Sequence, residues 1–218
     1  NESEWIINYN GIDISTNTIP TTINNLNSNT LYNCYVRAVC SAGDTSFQTF
    51  SVNFTTGCAY AVAPLIENFD AGFSPCWSQE SVIDDFDWTI NTGGTPSSGT
   101  GPSDDVSIGG NYMYIETSSP RTIGDFAIIY SEQIDLSNLT NPQLSFQTHM
   151  FGSSVGELQI DMFDGSSYVT VFTKVGDFGN QWIEETILLN TITNYVSFRI
   201  IGIRGNSFRG DIAVSYTH

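Results

Sequence analysis

Basic residues are nearly absent from this chain. Lys174 is the single lysine, and with the arginines it makes 6 basic residues against 23 acidic ones, a net charge of −17 over 218 residues. Each phosphate contact needs a lysine or arginine, so no nucleic-acid partner is expected and an anionic membrane surface is a poor one. Long apolar runs are missing as well: none approaches the roughly 18 residues of a membrane span, which excludes membrane insertion. No secretory leader stands at the N-terminus, so the segment is expected to be a mature or excised piece of a longer parent chain with other domains. Amphipathic helical windows are absent. So are Gly-x-Ser-x-Gly, His-Glu-x-x-His and P-loop motifs, and the two histidines, His149 and His218, are too few for most acid–base schemes. The chain is therefore expected not to be an enzyme. The four cysteines form no Cys-x-x-Cys or Cys/His cluster that would hold zinc. Cys34 and Cys40 lie on one expected strand, about 20 Å apart when extended, and cannot bond each other.

What remains is rich in asparagine, serine, threonine and glycine, the composition of a secreted β protein. The stretch from Asp84 to Glu116 gives its organisation: Asp84-Asp85-Phe86-Asp87-Trp88-Thr89, a Gly/Ser/Thr/Pro segment, Gly101-Pro102-Ser103-Asp104-Asp105, then Tyr112-Met113-Tyr114-Ile115-Glu116. It reads as an antiparallel strand pair whose connection carries carboxylates. Before it, period-two patterning predicts strands at 4–9, 18–23, 31–40 and 47–55. After Cys58, strands are expected at 65–70, 86–90, 111–116, 125–131, 143–151, 156–163, 167–173, 181–188, 194–203 and 211–216. Glu157-Leu158-Gln159-Ile160-Asp161-Met162 alternates cleanly, one face in the core and one in solvent. So many short strands joined by Gly, Asn and Ser loops predict an all-β protein with a two-sheet jelly roll.

Two resemblances sharpen this. Leu26-Asn27-Ser28-Asn29-Thr30-Leu31-Tyr32 resembles the tyrosine corner of fibronectin type III domains, continued by Tyr35-Val36-Arg37-Ala38-Val39 and Phe54-Thr55-Thr56. Ser28 stands where that family usually has proline. On this resemblance residues 1–57 are the C-terminal part of a fibronectin type III-like sandwich, entered at its third strand. Such a fragment exposes an unpaired edge and half a core.

Residues 58–218 resemble a MAM domain, the extracellular module of meprins, neuropilins and receptor tyrosine phosphatases. The matching residues are Phe69-Asp70, Cys76-Trp77, Asp85-Phe86-Asp87-Trp88, Gly101-Pro102 with Asp105, and Tyr112 to Glu116. They continue with Leu144-Ser145-Phe146, His149-Met150-Phe151-Gly152, Gly179-Asn180-Gln181-Trp182 and Gly210-Asp211-Ile212-Ala213-Val214, in family order. Cys58 departs from the pattern by lying eleven residues before Phe69. The combination is similar to secreted proteins of Bacteroidetes-type bacteria.

The resemblance implies a jelly-roll β-sandwich, secreted or on the cell surface, that acts as a non-catalytic recognition module for a glycan or an extracellular protein. The alternative is a structural spacer that holds another domain away from the surface. It also implies a disulfide between Cys58 and Cys76. A calcium site is expected among Asp70, Asp84, Asp87, Asp105 and Asp211, with Asp70, Asp105 and Asp211 as ligands at one end of the sandwich. Arg199, Arg204 and Arg209 are candidate ligand contacts, either to an anionic glycan or to neighbouring carboxylates. Trp5, Trp77, Trp88 and Trp182 have ring faces that match sugar rings. Family position assigns Trp77, Trp88 and Trp182 to the core instead.

Overall fold

The computed structural model describes residues 4–41, 43–190 and 193–215. The described residues contain strands, turns and loops and no helix. The chain divides into two compact units, Asn1–Ala59 and Tyr60–His218.

The first unit holds β1 (Trp5–Tyr9), β2 (Ile12–Thr16), β3 (Leu31–Ser41), β4 (Asp44–Thr45) and β5 (Val52–Thr55). They form one antiparallel sheet in the order β2-β1-β3-β4, with β5 also on β3. The strand expected at 18–23 does not form, and β2 takes its place beside β1. Asn10 (φ 47°) and Gly11 (φ 84°) turn the chain between Tyr9 and Ile12. Two successive positive φ values match the twist of the flanking strands, which is why Asn-Gly is a hairpin signal. The Tyr32 hydroxyl accepts the Asn27 amide at 2.9 Å, five residues upstream. Among the described residues of this unit only Asn8 and Tyr32 are buried, while Phe47 and Phe50 are almost wholly exposed.

The second unit begins with β6 (Ala61–Val62), β7 (Ser78–Gln79), β8 (Thr89–Asn91), β9 (Tyr112–Ile115), β10 (Phe126–Tyr130) and β11 (Ile134–Asp135). It continues with β12 (Gln143–Met150), β13 (Glu157–Phe163), β14 (Tyr168–Val175), β15 (Trp182–Leu188), β16 (Tyr195–Ile203) and β17 (Ile212–Ser215). One sheet runs β14-β13-β16-β10-β7, with β11 and β6 at its margin; the other runs β15-β12-β17-β9-β8. Their facing sides form the core of a β-sandwich. Phe146, Leu158, Ile160, Ile200, Ile212 and Met113 are all essentially inaccessible there. The strand expected at 65–70 is irregular. Glu67 and Asn68 side chains capture the amides of Phe69 and Asp70, and Phe69 takes φ 60°. Local side-chain bonds of this kind compete with a sheet ladder. His218 and the last residue of the strand expected at 211–216 lie outside the described residues.

Trp88 anchors the core. It is 2% exposed, and its indole N–H is shared between the Ala127 and Ile200 carbonyls, 3.2 Å from each. Room for it is made by Gly202, where an added Cβ would lie 2.9 Å from the Trp88 ring and 3.0 Å from Ile115.

Candidate functional site

Two outward faces and the ends of β9 hold the polar chemistry of the second unit. On the β14-β13-β16-β10 sheet, Leu158, Ile160 and Met162 turn inward, so period two sends Gln159, Asp161 and Phe163 outward. The register then lines up Thr170, Asp161, Arg199 and Tyr130 across four adjacent strands, with Tyr168 beside Phe163. Arg199 Nε donates to Asp161 at 2.7 Å, and its guanidinium lies 4.3 Å above the Tyr168 ring. Gln159 donates to the other Asp161 oxygen at 2.8 Å. Tyr130 donates to Glu80 at 2.7 Å; burial and this bond push the phenol up to about 12. Arg199 keeps its Nη groups, and Tyr168 its hydroxyl, without a hydrogen-bond partner among the described residues. The result is a rigid, strand-borne patch of half-exposed rings with free donors.

On the opposite sheet, Met113 and Ile115 turn inward, and Tyr112, Tyr114 and Ala213 form an outer cluster against which Trp182 packs. The long connection from β8 to β9 closes over it. Tyr112 donates to Gly93 O at 2.7 Å, and Trp182 Nε1 donates to Asp104 O at 2.9 Å. Trp182 is therefore half-buried on the outer face, outside the inter-sheet core where family position put it. Its register partner His149, which faces outward from β12, explains the difference. His149 is 2% exposed and bonds Asn180 at 3.0 Å; burial holds its pKa below the usual imidazole value. Trp77 packs against the core and lines an apolar cavity of about 170 Å³ with Leu136, Leu144, Leu189 and Phe198.

The expected three-aspartate site is not assembled. Asp70 and Asp105 do meet: their carboxylates lie 3.1 and 2.7 Å from where a Cβ on Gly110 would stand, and Asp70 also accepts the Asn111 amide at 2.9 Å. Asp211 belongs to the other end of β9, where it accepts the amide and hydroxyl of Thr117, each at 3.1 Å. From Asn111 to Glu116 the extended chain covers roughly 16 Å, far beyond a shared ion's reach. The last strand does pair with β9, but antiparallel pairing sets its start against the end of β9. Asp84 and Asp85 are engaged elsewhere, accepting the amides of Ile128 and Phe126. Among the described residues no three carboxylate, imidazole or thiolate groups converge as a metal site. Asp105 Oδ1 and Asp211 Oδ2 are buried without partners. Burial, aided by Glu116, pushes Asp211 up to about 6.

Arg199, Arg204 and Arg209 each engage different partners. Arg199 sits in the outward patch, Arg204 Nε donates to Thr117 O at 2.7 Å, and Arg209 lies against Phe208 and Gly99. Spacing of four to five residues brings side chains together on a helix; on a strand and its following loop it disperses them. Cys58 and Cys76 are disulfide-bonded, while Cys34 and Cys40 are free. Sequence reasoning missed Tyr130, Tyr168 and Glu80. Tyr130 and Tyr168 stand on outward positions of expected strands, and only the strand order juxtaposes them.

Residues 68–216 match the family model described as MAM domain, meprin/A5/mu. Human MAM domain-containing glycosylphosphatidylinositol anchor protein 2 is 33% identical over 174 residues, which is 70% of this chain and 18% of that protein. Neuropilin-1a of Danio rerio is 33% identical over 135 residues, 59% of this chain and 14% of that protein. The chain thus spans less than a fifth of the length of these relatives. Among solved structures, the K3 cleaved adhesin domain of Lys-gingipain from Porphyromonas gingivalis W83 superposes with a TM-score of 0.51 at 15% identity. That match covers 70% of this chain and 95% of the other, and it bears on the fold alone.

Proposed function

Because the chain belongs to the MAM domain family through residues 68–216, we propose that it is a non-catalytic recognition module of a larger protein, working on the cell surface or outside the cell. Relatives that carry this module are by name glycosylphosphatidylinositol anchor proteins, which agrees with that location. No helix among the described residues is long and apolar enough to cross a membrane. The ligand in this reading is a glycan or an extracellular protein, held on the outward patch of Tyr130, Tyr168 and Arg199. The observation that carries the reading is the pairing of exposed ring surface with unused Arg199 and Tyr168 donors on four rigid strands. Ring faces pack on sugar C–H surfaces or partner side chains, and fixed donors add orientation. Asp161 and Glu80 offset Arg199 locally, which favours a neutral ligand over an anionic one. A glycan array and a cell-adhesion assay test this together. Tyr168→Ala and Arg199→Ala should each weaken the binding found at least tenfold. Binding in neither assay would leave the spacer role.

Two further parts belong to the proposed reading. Calcium fits Asp70 and Asp105, which supply hard oxygens and the orphaned Asp105 Oδ1. The first unit is read as the C-terminal part of a fibronectin type III-like domain, supported by the bond from Asn27 to Tyr32 and by its strand order.

A further inference from the structure

A second pair of acids lies at the far end of β9, outside every ion pair among the described residues. One step beyond the Ile212–Ile115 pair, the antiparallel register sets Asp211 opposite Glu116. Tyr114 and Ala213 point outward from these strands, so both acids share that outer face. Like charges directly opposite in a sheet repel. Asp211 is fully buried: its Oδ1 takes the Thr117 amide and hydroxyl, and its Oδ2 has no partner. Glu116 Oε1 takes the Ser97 hydroxyl at 3.2 Å and the Ser118 amide at 3.0 Å, while its Oε2 is buried without a partner. Neither acid is paired with a cation; the ion pairs among the described residues are Arg37–Asp13, Lys174–Glu185 and Arg199–Asp161. A buried charge left uncompensated is costly, so native proteins pair it or coordinate it.

We propose that Asp211 and Glu116 form a cation site distinct from Asp70 and Asp105, binding a hard divalent ion of the calcium type through Asp211 Oδ2 and Glu116 Oε2. Glu116 is only half-buried, which leaves a path for water ligands to complete the shell. Calcium is the fit because every donor is oxygen and two carboxylates balance a double charge. The ion would tie the first turn after β9 to the start of β17, closing the loop end of the sheet that the tyrosine cluster covers.

The test is direct calcium titration by calorimetry on the full chain after chelation. Glu116→Gln keeps the Oε1 bonds and the fold, so it is the primary variant, with Asp211→Asn beside it. Each should abolish one calcium equivalent or weaken it at least tenfold, whereas Asp70→Asn with Asp105→Asn should leave that equivalent intact. Wild type that binds no calcium lost by Glu116→Gln or Asp211→Asn would overturn the proposal. So would a Glu116→Gln chain as much stabilised by calcium as wild type.

Discussion

At the scale of single residues, Trp88 and Gly202 form one packing unit. The indole occupies space that a Cβ on Gly202 would take. Trp88→Ala should cost about 3–5 kcal/mol by emptying the core. Gly202→Ala should cost about 1–3 kcal/mol by overfilling it. Urea unfolding checks both, and a Gly202→Ala chain of unchanged stability would contradict the packing described.

His149 supplies a pH signature. Burial depresses its folded-state pKa below the 6.5 of an exposed imidazole, although Asn180 and Asp177 oppose the shift. The unfolded chain therefore binds the proton first. The stability this residue contributes is complete above about pH 6.5 and is lost as the pH falls below it. Asp211 acts in the opposite sense, because its raised pKa favours the folded state as the pH falls from about 6. Comparing wild type with His149→Gln isolates the imidazole. Melting temperatures from pH 8 to pH 5 should fall more steeply for wild type, and parallel curves would refute the assignment.

At the scale of elements, the connection between β8 and β9 is a cover made of hydrogen bonds to aromatic side chains. Tyr112 holds Gly93 and Asn91, and Trp182 holds Asp104. Tyr112→Phe should destabilise the chain by about 1–2 kcal/mol, since buried partners lose a bond. Amide exchange should quicken across 92–104 while β12 and β16 stay protected. Uniform exchange changes would mean the loop is held by something else. The alternation of β9, β12 and β13 was legible in the sequence because period two assigns faces without any knowledge of neighbours. The hairpin at Asn10-Gly11 was equally written there, and threonine-rich 18–23 drew the strand assignment away from it. The irregular 65–70 segment was hidden, because Glu67 and Asn68 bond their own backbone and leave the apolar pattern intact.

At the scale of the whole molecule, charge and cross-linking dominate. With a net charge of −17, self-repulsion opposes the compact state and added salt screens it within about 10 Å at 0.1 M. Raising sodium chloride from low to moderate concentration should therefore raise the melting temperature, provided chelator is present to remove divalent ions. The disulfide at Cys58 and Cys76 closes a loop worth on the order of 3 kcal/mol. Reduction should lower stability by about that amount, and alkylation without reduction should label Cys34 and Cys40 alone. Labelling of Cys76 without reductant would refute the bond.

Composition and periodicity determined the class of this protein, all-β and strongly acidic with alternating strands, and the ordered motifs carried its resemblance to the MAM family. Those properties depend on local geometry and on residue inventory, and a single chain states both. The grouping of side chains was decided only by tertiary structure. Antiparallel pairing of β17 with β9 sends Asp211 to Glu116 and away from Asp70 and Asp105. Adjacency of β14, β13, β16 and β10 joins Tyr168, Asp161, Arg199 and Tyr130 from four separate segments. Strand order and register are set by how the two sheets bury their common core, and sequence spacing along one strand carries no record of which strand lies beside it.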